Sequence, residues 1–486
     1  MSRGHVGLVA FYFPPSRASG VYRMLALANH LVESDFEVTV FTVTPDFFEH
    51  ITRSSDESLL DAIDPRVHVE RIPLPMQHLE THPRRFSWLR GNFPELHRRL
   101  TQRATKTVWL DQYGSWVPGL LTRMIGVHRR HRLDVVLATG NPYSCYEAPW
   151  LFKRATGVPY VLDSRDSWTL DLFTDELAFP PGHPAYTWEK RTFDDAELIC
   201  FVNQPLLAWH QRAYPEDADK MIVVANGYDT SVVRTLTDAV DSAARDQAAA
   251  REDATAVEAA VEAAGPAEDS DVAPDPESGE DARPGVRFGY VGTLTGNQPH
   301  AQVWAGWRAA KEDPQMAEAT MNLYGHLGFF GVSRAVANVL PTGDPTQDCT
   351  WHGPVAKAEI AAAYAAIDVL VMIVADSPYV TSGKVFEYMA TGKPVVGLYE
   401  DDCAVADVLG GYPLLVKAAS LESEDVARAF CEAEVRAHTV TDEERAAATA
   451  YAERFERVRQ MTPLVERLGE IAARPVTPPT RRRLGR

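Results

Sequence analysis

The sequence predicts an α/β protein of two tandem Rossmann-like, doubly wound domains. Short β-branched runs alternate with segments whose apolar residues recur at helical spacing, and that alternation implies a parallel sheet covered by helices on both faces. It occurs twice, before and after an acidic stretch without an aromatic residue. Glycine also follows three successive strand-like runs of the second half, at Gly292, Gly325 and Gly353.

The first half opens with a strand over Val6–Phe13 closed by Pro14-Pro15, a helix over Gly20–Leu31 and a strand over Phe36–Val43, which together form a βαβ unit. Further strands are expected at Val67–Leu74, Leu133–Thr139, Pro159–Leu162, Leu198–Asn203 and Met221–Ala225. The second half starts at Val286–Gly292, with strands to follow at Thr320–Tyr324, Thr350–Gly353, Val369–Val374, Pro394–Tyr399 and Pro413–Val416. Its helices are expected at His300–Lys311, Ala358–Ile367 and Lys384–Thr391, and an amphipathic stretch over Glu443–Ala472 precedes a basic, Pro-rich tail. The expected organisation is an N-terminal domain at 1–232, an acidic disordered insertion at 233–285, a C-terminal domain at 286–445, a terminal helix at 446–475 and a flexible tail at 476–486.

Composition narrows the class of function. The 486 residues are 45% hydrophobic and 24% charged, enough for two or three packed cores. Between Leu236 and Arg283 fourteen acidic residues stand against three basic ones, so this stretch holds −11 of the formal −19 and cannot bury enough apolar surface to order itself. An acidic average surface excludes nucleic acid as the expected partner. No apolar run reaches the roughly 18 residues of a membrane span, and the start of the chain lacks a signal-peptide core, so the expectation is a soluble, cytoplasmic protein. Cys145, Cys200, Cys349, Cys403 and Cys431 are odd in number, far apart and without a CxxC pair, as suits reduced thiols.

In open parallel sheets ligands sit beyond the carboxyl ends of the strands, where helix N-termini present free amides. Four places qualify. In Thr381–Pro394, Ser382 and Gly383 read as the cap of a helix whose amides, with Lys384, suit a diphosphate, and Glu387 one turn later suits a ribose diol; an ordinary capped helix explains the same residues. The loop Pro14–Arg23 offers small residues, Gly20 among them, and the cations Arg17 and Arg23, or is a structural turn. Asp163–Trp168 sets Asp163 and Asp166 beside Arg165, for hydroxyl binding and proton transfer or for a buried ion-pair network. The glycine-ended strands, with Thr293 after Gly292 and Val355 after Gly353, suit a flat base and sugar across the sheet edge.

Taken together, these residues resemble a family-four retaining glycosyltransferase of the GT-B fold, whose two Rossmann-like domains face each other across a cleft. The resemblance rests on Phe11-Tyr12-Phe13-Pro14-Pro15 with Gly20 and Arg23, on Asp163–Trp168, on Asn226-Gly227-Tyr228-Asp229, on Tyr290–Leu294, and above all on Ser382-Gly383-Lys384 with Phe386-Glu387-Tyr388. It implies a nucleotide-sugar donor in the C-terminal domain and a sugar, lipid-linked or small-molecule acceptor in the N-terminal one. Glu387 then binds the ribose, the amides of Ser382, Gly383 and Lys384 meet the diphosphate, and Gly20 faces the donor phosphates. Gly292, Thr293, Gly325, Val355 and Arg23 complete the expected donor set, and Lys384, Asp166 and Arg165 the expected catalytic set. The sequence departs from the family at Tyr379, which stands where the first glutamate of E-x7-E belongs, with Asp376 nearby but out of register. Thr293–His300 holds no Arg or Lys, and the histidine expected after the fourth strand is missing from Ala138–Ser144.

The implied chemistry is transfer with retention, the leaving diphosphate being neutralised by a helix N-terminus and cations without a cofactor or metal. No DxD follows a donor-domain strand, and His78-Leu79-Glu80-Thr81-His82 is HxExH rather than HExxH, a surface segment. His82–Thr107 interleaves six arginines with aromatic and aliphatic residues, which suits either a charged helix covering the N-terminal domain or a peripheral contact with the inner face of a membrane during envelope polysaccharide or glycolipid synthesis. Two other readings stay open: a GT-B-like nucleotide-sugar epimerase, and a noncatalytic nucleotide-sugar binding partner of another transferase.

Overall fold

The computed structural model describes residues 2–75, 84, 86–107, 111–231, 235, 285–328, 333–355, 359–375 and 377–476. The expected acidic insertion, the HxExH segment, Asp376 and all but the first residue of the expected tail lie outside the described residues, wholly or nearly so.

In chain order the first elements are β1 (His5–Val9), α1 (Ser19–Glu33), β2 (Glu37–Val43), β3 (His68–Ile72), α2 (Trp88–Asn92), α3 (Pro94–Thr107), α4 (Val117–Arg130), β4 (Val135–Thr139), α5 (Ser144–Thr156), β5 (Tyr160–Ser164), α6 (Pro184–Asp195), β6 (Leu198–Phe201), α7 (Gln204–Ala213) and β7 (Met221–Val223). After the acidic stretch come β8 (Arg287–Val291), α8 (His300–Ala310), β9 (Thr320–Tyr324), α9 (Arg334–Ala337), β10 (Cys349–Gly353), α10 (Ile360–Ala365), β11 (Val369–Ile373), α11 (Lys384–Ala390), β12 (Val395–Leu398), α12 (Ala406–Leu409), β13 (Leu415–Lys417), α13 (Ser423–Thr439), α14 (Asp442–Glu453) and α15 (Arg457–Ala472).

The strands form two all-parallel sheets, β3-β2-β1-β4-β5-β6-β7 and β10-β9-β8-β11-β12-β13. Each order reverses once, between β1 and β4 and between β8 and β11, and such a switch point opens a crevice at the carboxyl ends of the strands. The first sheet is buried on both faces because its strands alternate between two cores. Val136 and Ala138 of β4 pack with Trp116, Met124 and Phe152 on one side, while Val135 and Leu137 pack with α1 and α15 on the other. In the second sheet Val369, Val371 and Ile373 of β11 pack with Trp304, Trp307 and Phe430 of α8 and α13. Gly306 lets these two helices meet closely, since a Cβ there would fall 2.3 Å from Val426.

The chain divides into two units: Met1–Gly227 with Ser377–Thr381 and Arg457–Arg486, and Tyr228–Asp376 with Ser382–Glu456. The single terminal helix expected at 446–475 is two helices. A capping box at Thr441 starts α14, whose Ala448 and Ala452 are buried in the second unit, while α15 buries Met461, Leu464, Val465, Leu468 and Ile471 in the first. Each apolar stripe serves its own core, so the chain breaks between them.

Candidate functional site

In the second unit the three glycines expected at strand ends stand on neighbouring strands. The Gly292 amide donates to the Tyr324 carbonyl at 2.6 Å and the Gly325 amide to the Gly353 carbonyl at 2.7 Å. All three have positive φ, and a Cβ on Gly325 would lie 2.1 Å from the Gly292 carbonyl oxygen. A Cβ on Gly292 would lie 1.8 Å from Cε of Lys384, so the bare backbone is what lets the lysine chain lie across the end of β8. The Lys384 ammonium donates to the Tyr290 hydroxyl at 2.9 Å and sits 4.8 Å from that ring's centroid. Tyr290 in turn donates to the Thr293 carbonyl at 2.9 Å and accepts from Gln298 at 3.1 Å, which uses its full hydrogen-bonding capacity.

One turn along α11, Glu387 accepts from the hydroxyl of buried Tyr364 on α10 at 2.7 Å. Burial and the Glu387 charge push that phenol well above its ordinary pKa, so it stays a donor. Tyr388 fixes the same helix to β8, its hydroxyl accepting from the Val291 amide at 2.8 Å. Lys384, Glu387 and Tyr388 follow i, i+3 and i+4 spacing, which brings them to one side of the helix. The expected cap differs in detail. Gly383 occupies the cap position and no side chain caps the turn; Ser382 contributes its carbonyl, which accepts from the Val385 amide at 3.1 Å. The first-turn amides are thus without a side-chain cap. Thr293 and Val355 are half-buried at the same strand ends.

In the first unit Gly20, Arg165 and Gly140 come together at the β1/β4 switch point. Arg165 Nε donates to the Gly140 carbonyl at 3.2 Å, and a Cβ on Gly20 would lie 2.3 Å from Nη1 of Arg165. Gly20 therefore makes room for a guanidinium of its own chain. Arg23 is not a cation offered to a ligand: it is buried, paired with Asp163 at 2.7 Å, and donates to the Ala225 carbonyl at 3.0 Å. Thr139 also donates to Asp163 at 3.0 Å. Of the residues expected after a strand, Asp163 and Ser164 lie within β5, and Asp163 forms the buried network; Asp166 is half-buried, its carbonyl accepting from the Ser164 hydroxyl at 2.9 Å. Tyr379 donates its hydroxyl to Asp175, and Asn203 donates to the Tyr379 carbonyl at 2.8 Å and to Thr381 at 3.0 Å. Burial and Asp175 push the Tyr379 phenol up to about 12.

Sequence reasoning missed the tyrosines that hold Lys384 and Glu387, because Tyr290, Tyr364 and Tyr388 read as core aromatics. It also missed Glu147 beyond β4. Burial and the Asp111 charge push its carboxyl up to about 7, and among the described residues its Oε2 has no hydrogen-bond partner.

Residues 20–227 match the family described as Glycosyl transferase 4-like domain. No curated protein matches the sequence significantly. Among solved structures the chain is similar to a glycosyltransferase from Rickettsia africae (9% identity, TM-score 0.60, covering 97% of this chain and 99% of that one). It is similar also to a sucrose-phosphate synthase from Thermosynechococcus elongatus (14%, 0.57, 96% and 99%) and to Anabaena HepE in complex with UDP and glucose (14%, 0.54, 96% and 99%).

Proposed function

We propose that this chain, whose residues 20–227 match the glycosyl transferase 4-like domain and whose fold is similar to that of solved glycosyltransferases, is a GT-B glycosyltransferase that transfers a sugar from a nucleotide diphosphate donor to a hydroxyl acceptor with retention of configuration and without a metal. The reading is carried by one arrangement: Lys384 laid across Gly292 beside the uncapped first turn of α11, with Glu387 one turn further on. An ammonium and free amides together suit a diphosphate, and a carboxylate held by Tyr364 suits the adjoining ribose hydroxyls. Ser382 and Gly383 supply part of that turn, and Gly292, Thr293, Gly325 and Val355 form the floor for the base and sugar. The complex of HepE with UDP and glucose makes a UDP-sugar the first donor to try.

In the transfer the bond from the anomeric carbon to the diphosphate oxygen breaks and a bond to the acceptor oxygen forms on the same face. The acceptor's proton passes to the departing phosphate oxygen. Lys384 and the first-turn amides stabilise the charge that grows there, in a pre-organised setting that needs no reorganisation during reaction. Arg165 and Asp166, at the carboxyl end of β5, are assigned to the acceptor side; Gly20 acts by seating Arg165, and Arg23 by holding β5 through Asp163. The exposed apolar and basic surface of α2 and α3 supports a membrane-borne acceptor, as in envelope polysaccharide or glycolipid synthesis at the cytoplasmic face.

Calorimetry with UDP-sugars tests the donor site. Glu387→Ala is expected to weaken binding by about 1–3 kcal/mol through loss of charged hydrogen bonds, and Lys384→Met to lower turnover more than affinity. Unaltered donor affinity in Glu387→Ala removes that residue from the site, and conversion of the donor to another nucleotide sugar without an acceptor shows an isomerase instead.

A further inference from the structure

The amino ends of the strands, at the opposite edge of the first sheet from Gly20 and Arg165, hold a group of side chains that the proposed reaction does not use. His5 at the start of β1 and Glu37 at the start of β2 are register partners in the parallel pair, so their side chains share a sheet face. His131, one residue beyond α4, joins them: its Nε2 is 2.9 Å from a Glu37 oxygen, and its ring centroid is 4.5 Å from that of His5. One ligand atom from each of the three lies within 4.8 Å of the others. All three line a cavity of about 610 Å³.

We infer that His5, Glu37 and His131 form a binding site for a zinc-type divalent ion, a structural site separate from the sugar-transfer chemistry. Two imidazoles and a carboxylate are a donor set that zinc accepts, with a fourth position left for water that the cavity has room for. The His5 ring is already set for the task. Its Nδ1 lies 3.1 Å from the Arg132 carbonyl, which can only accept, so Nδ1 carries the proton and Nε2 presents a lone pair. A histidine ligand whose other nitrogen donates to a backbone carbonyl is the usual outer-shell arrangement at metal sites. In the free protein that lone pair meets the Thr39 hydroxyl at 2.8 Å, a contact the ion would replace. Tetrahedral bonds of roughly 2.0–2.1 Å set ligand atoms about 3.3 Å apart. The His131–Glu37 separation is a little shorter than that, and both side chains are about half exposed, 61% and 48%, so they have freedom to open. The ion would tie β1 and β2 to the α4–β4 connection.

The test is calorimetric titration of chelator-stripped full-length protein with zinc chloride, followed by cobalt substitution to read the absorption of a four-coordinate site. One equivalent should bind, with affinity falling about tenfold or more in His131→Ala and in Glu37→Gln and unchanged in His68→Ala, a histidine of the same cavity outside the triad. Circular dichroism checks the fold of each variant. In the unmutated chain zinc should also protect His131 from carbethoxylation, read by mass spectrometry. Absence of saturable uptake, uptake that both triad variants leave intact, or His131 modification that zinc does not slow would each overturn the assignment.

Discussion

Glu147 stands in the first turn of α5, where a helix N-terminus favours a carboxylate, yet burial and the Asp111 charge push its carboxyl up to about 7. Its unfolded value is near 4.5, so between these two the folded state binds the extra proton. The stability this contributes is fully present below pH 4.5 and is lost as the pH rises through 7. The side chain keeps some contact with solvent, which reduces the effect to about 1–2 kcal/mol. Glu147→Gln should therefore be more stable than the parent at pH 8 by that amount and nearly equal to it at pH 4, measured by urea unfolding at both. A difference that does not vary with pH would sink the account. The residue was illegible in the sequence because nothing local marks it: its shift comes first from burial in the folded chain and then from the charge of Asp111, 36 positions away. Asp163 was read as lying beyond its strand for a similar reason. A carboxylate inside a buried strand is unfavourable unless paired, and its partner Arg23 lies 140 positions away. Gly292 and Gly325, by contrast, were legible, because only their backbone role is at stake and glycine at a strand end announces it.

The elements themselves follow from periodicity. β-branched runs located every strand of both sheets to within a few residues, and the helix from Lys384 was expected to within one. Pairing order, β3-β2-β1-β4-β5-β6-β7 and β10-β9-β8-β11-β12-β13, is a long-range property that no local run carries. The pair α2 and α3 shows where periodicity stops. Trp88 is 72% exposed and Phe93, Leu96 and Leu100 about half exposed, so among the described residues these apolar side chains stand outside the buried cores. Arg98 and Arg99 both reach Glu95, and Arg90 lies over the Phe86 ring, so charged and apolar side chains share this exposed surface. Such a surface suits anionic headgroups, with the apolar stripe entering the acyl boundary. In sedimentation with vesicles, binding should require anionic lipid and weaken with salt, and Leu96→Glu with Leu100→Glu should lower it about tenfold or more. Equal binding to neutral vesicles, or binding that the paired substitutions leave intact, removes the membrane role from these helices.

At the scale of the whole molecule the family match ends at residue 227, but the unit it belongs to does not. Which sheet a terminal helix covers is a long-range property that its own amphipathic pattern does not carry, and α15 returns from the second half to complete the first unit. It lies against α1 and the β1–β4 face. Ala472 sits under Gly4, and Met461, Leu464, Val465, Leu468 and Ile471 are at most 2% exposed. Burying such side chains stabilises by about 1.5–3 kcal/mol each, a total that rivals the roughly 5–15 kcal/mol of a whole domain. A chain ended at Glu456 should consequently lose the cooperative unfolding of the first unit while the second still unfolds as one, as followed by hydrogen exchange resolved by segment. Arg457 donates to the carbonyls of Asn226 and Gly227 at 3.1 and 3.2 Å, so the end of the matched segment and the start of α15 are adjacent. Joining Gly227 to Arg457 by a short Gly-Ser bridge, in place of everything between, should then yield a soluble first unit that lacks only its Ser377–Thr381 segment and keeps native-like exchange protection away from the Asn203 and Asp175 contacts of that segment, whereas residues 2–227 alone should not. If the two fragments behave alike, the helix is an accessory and the unit closes without it.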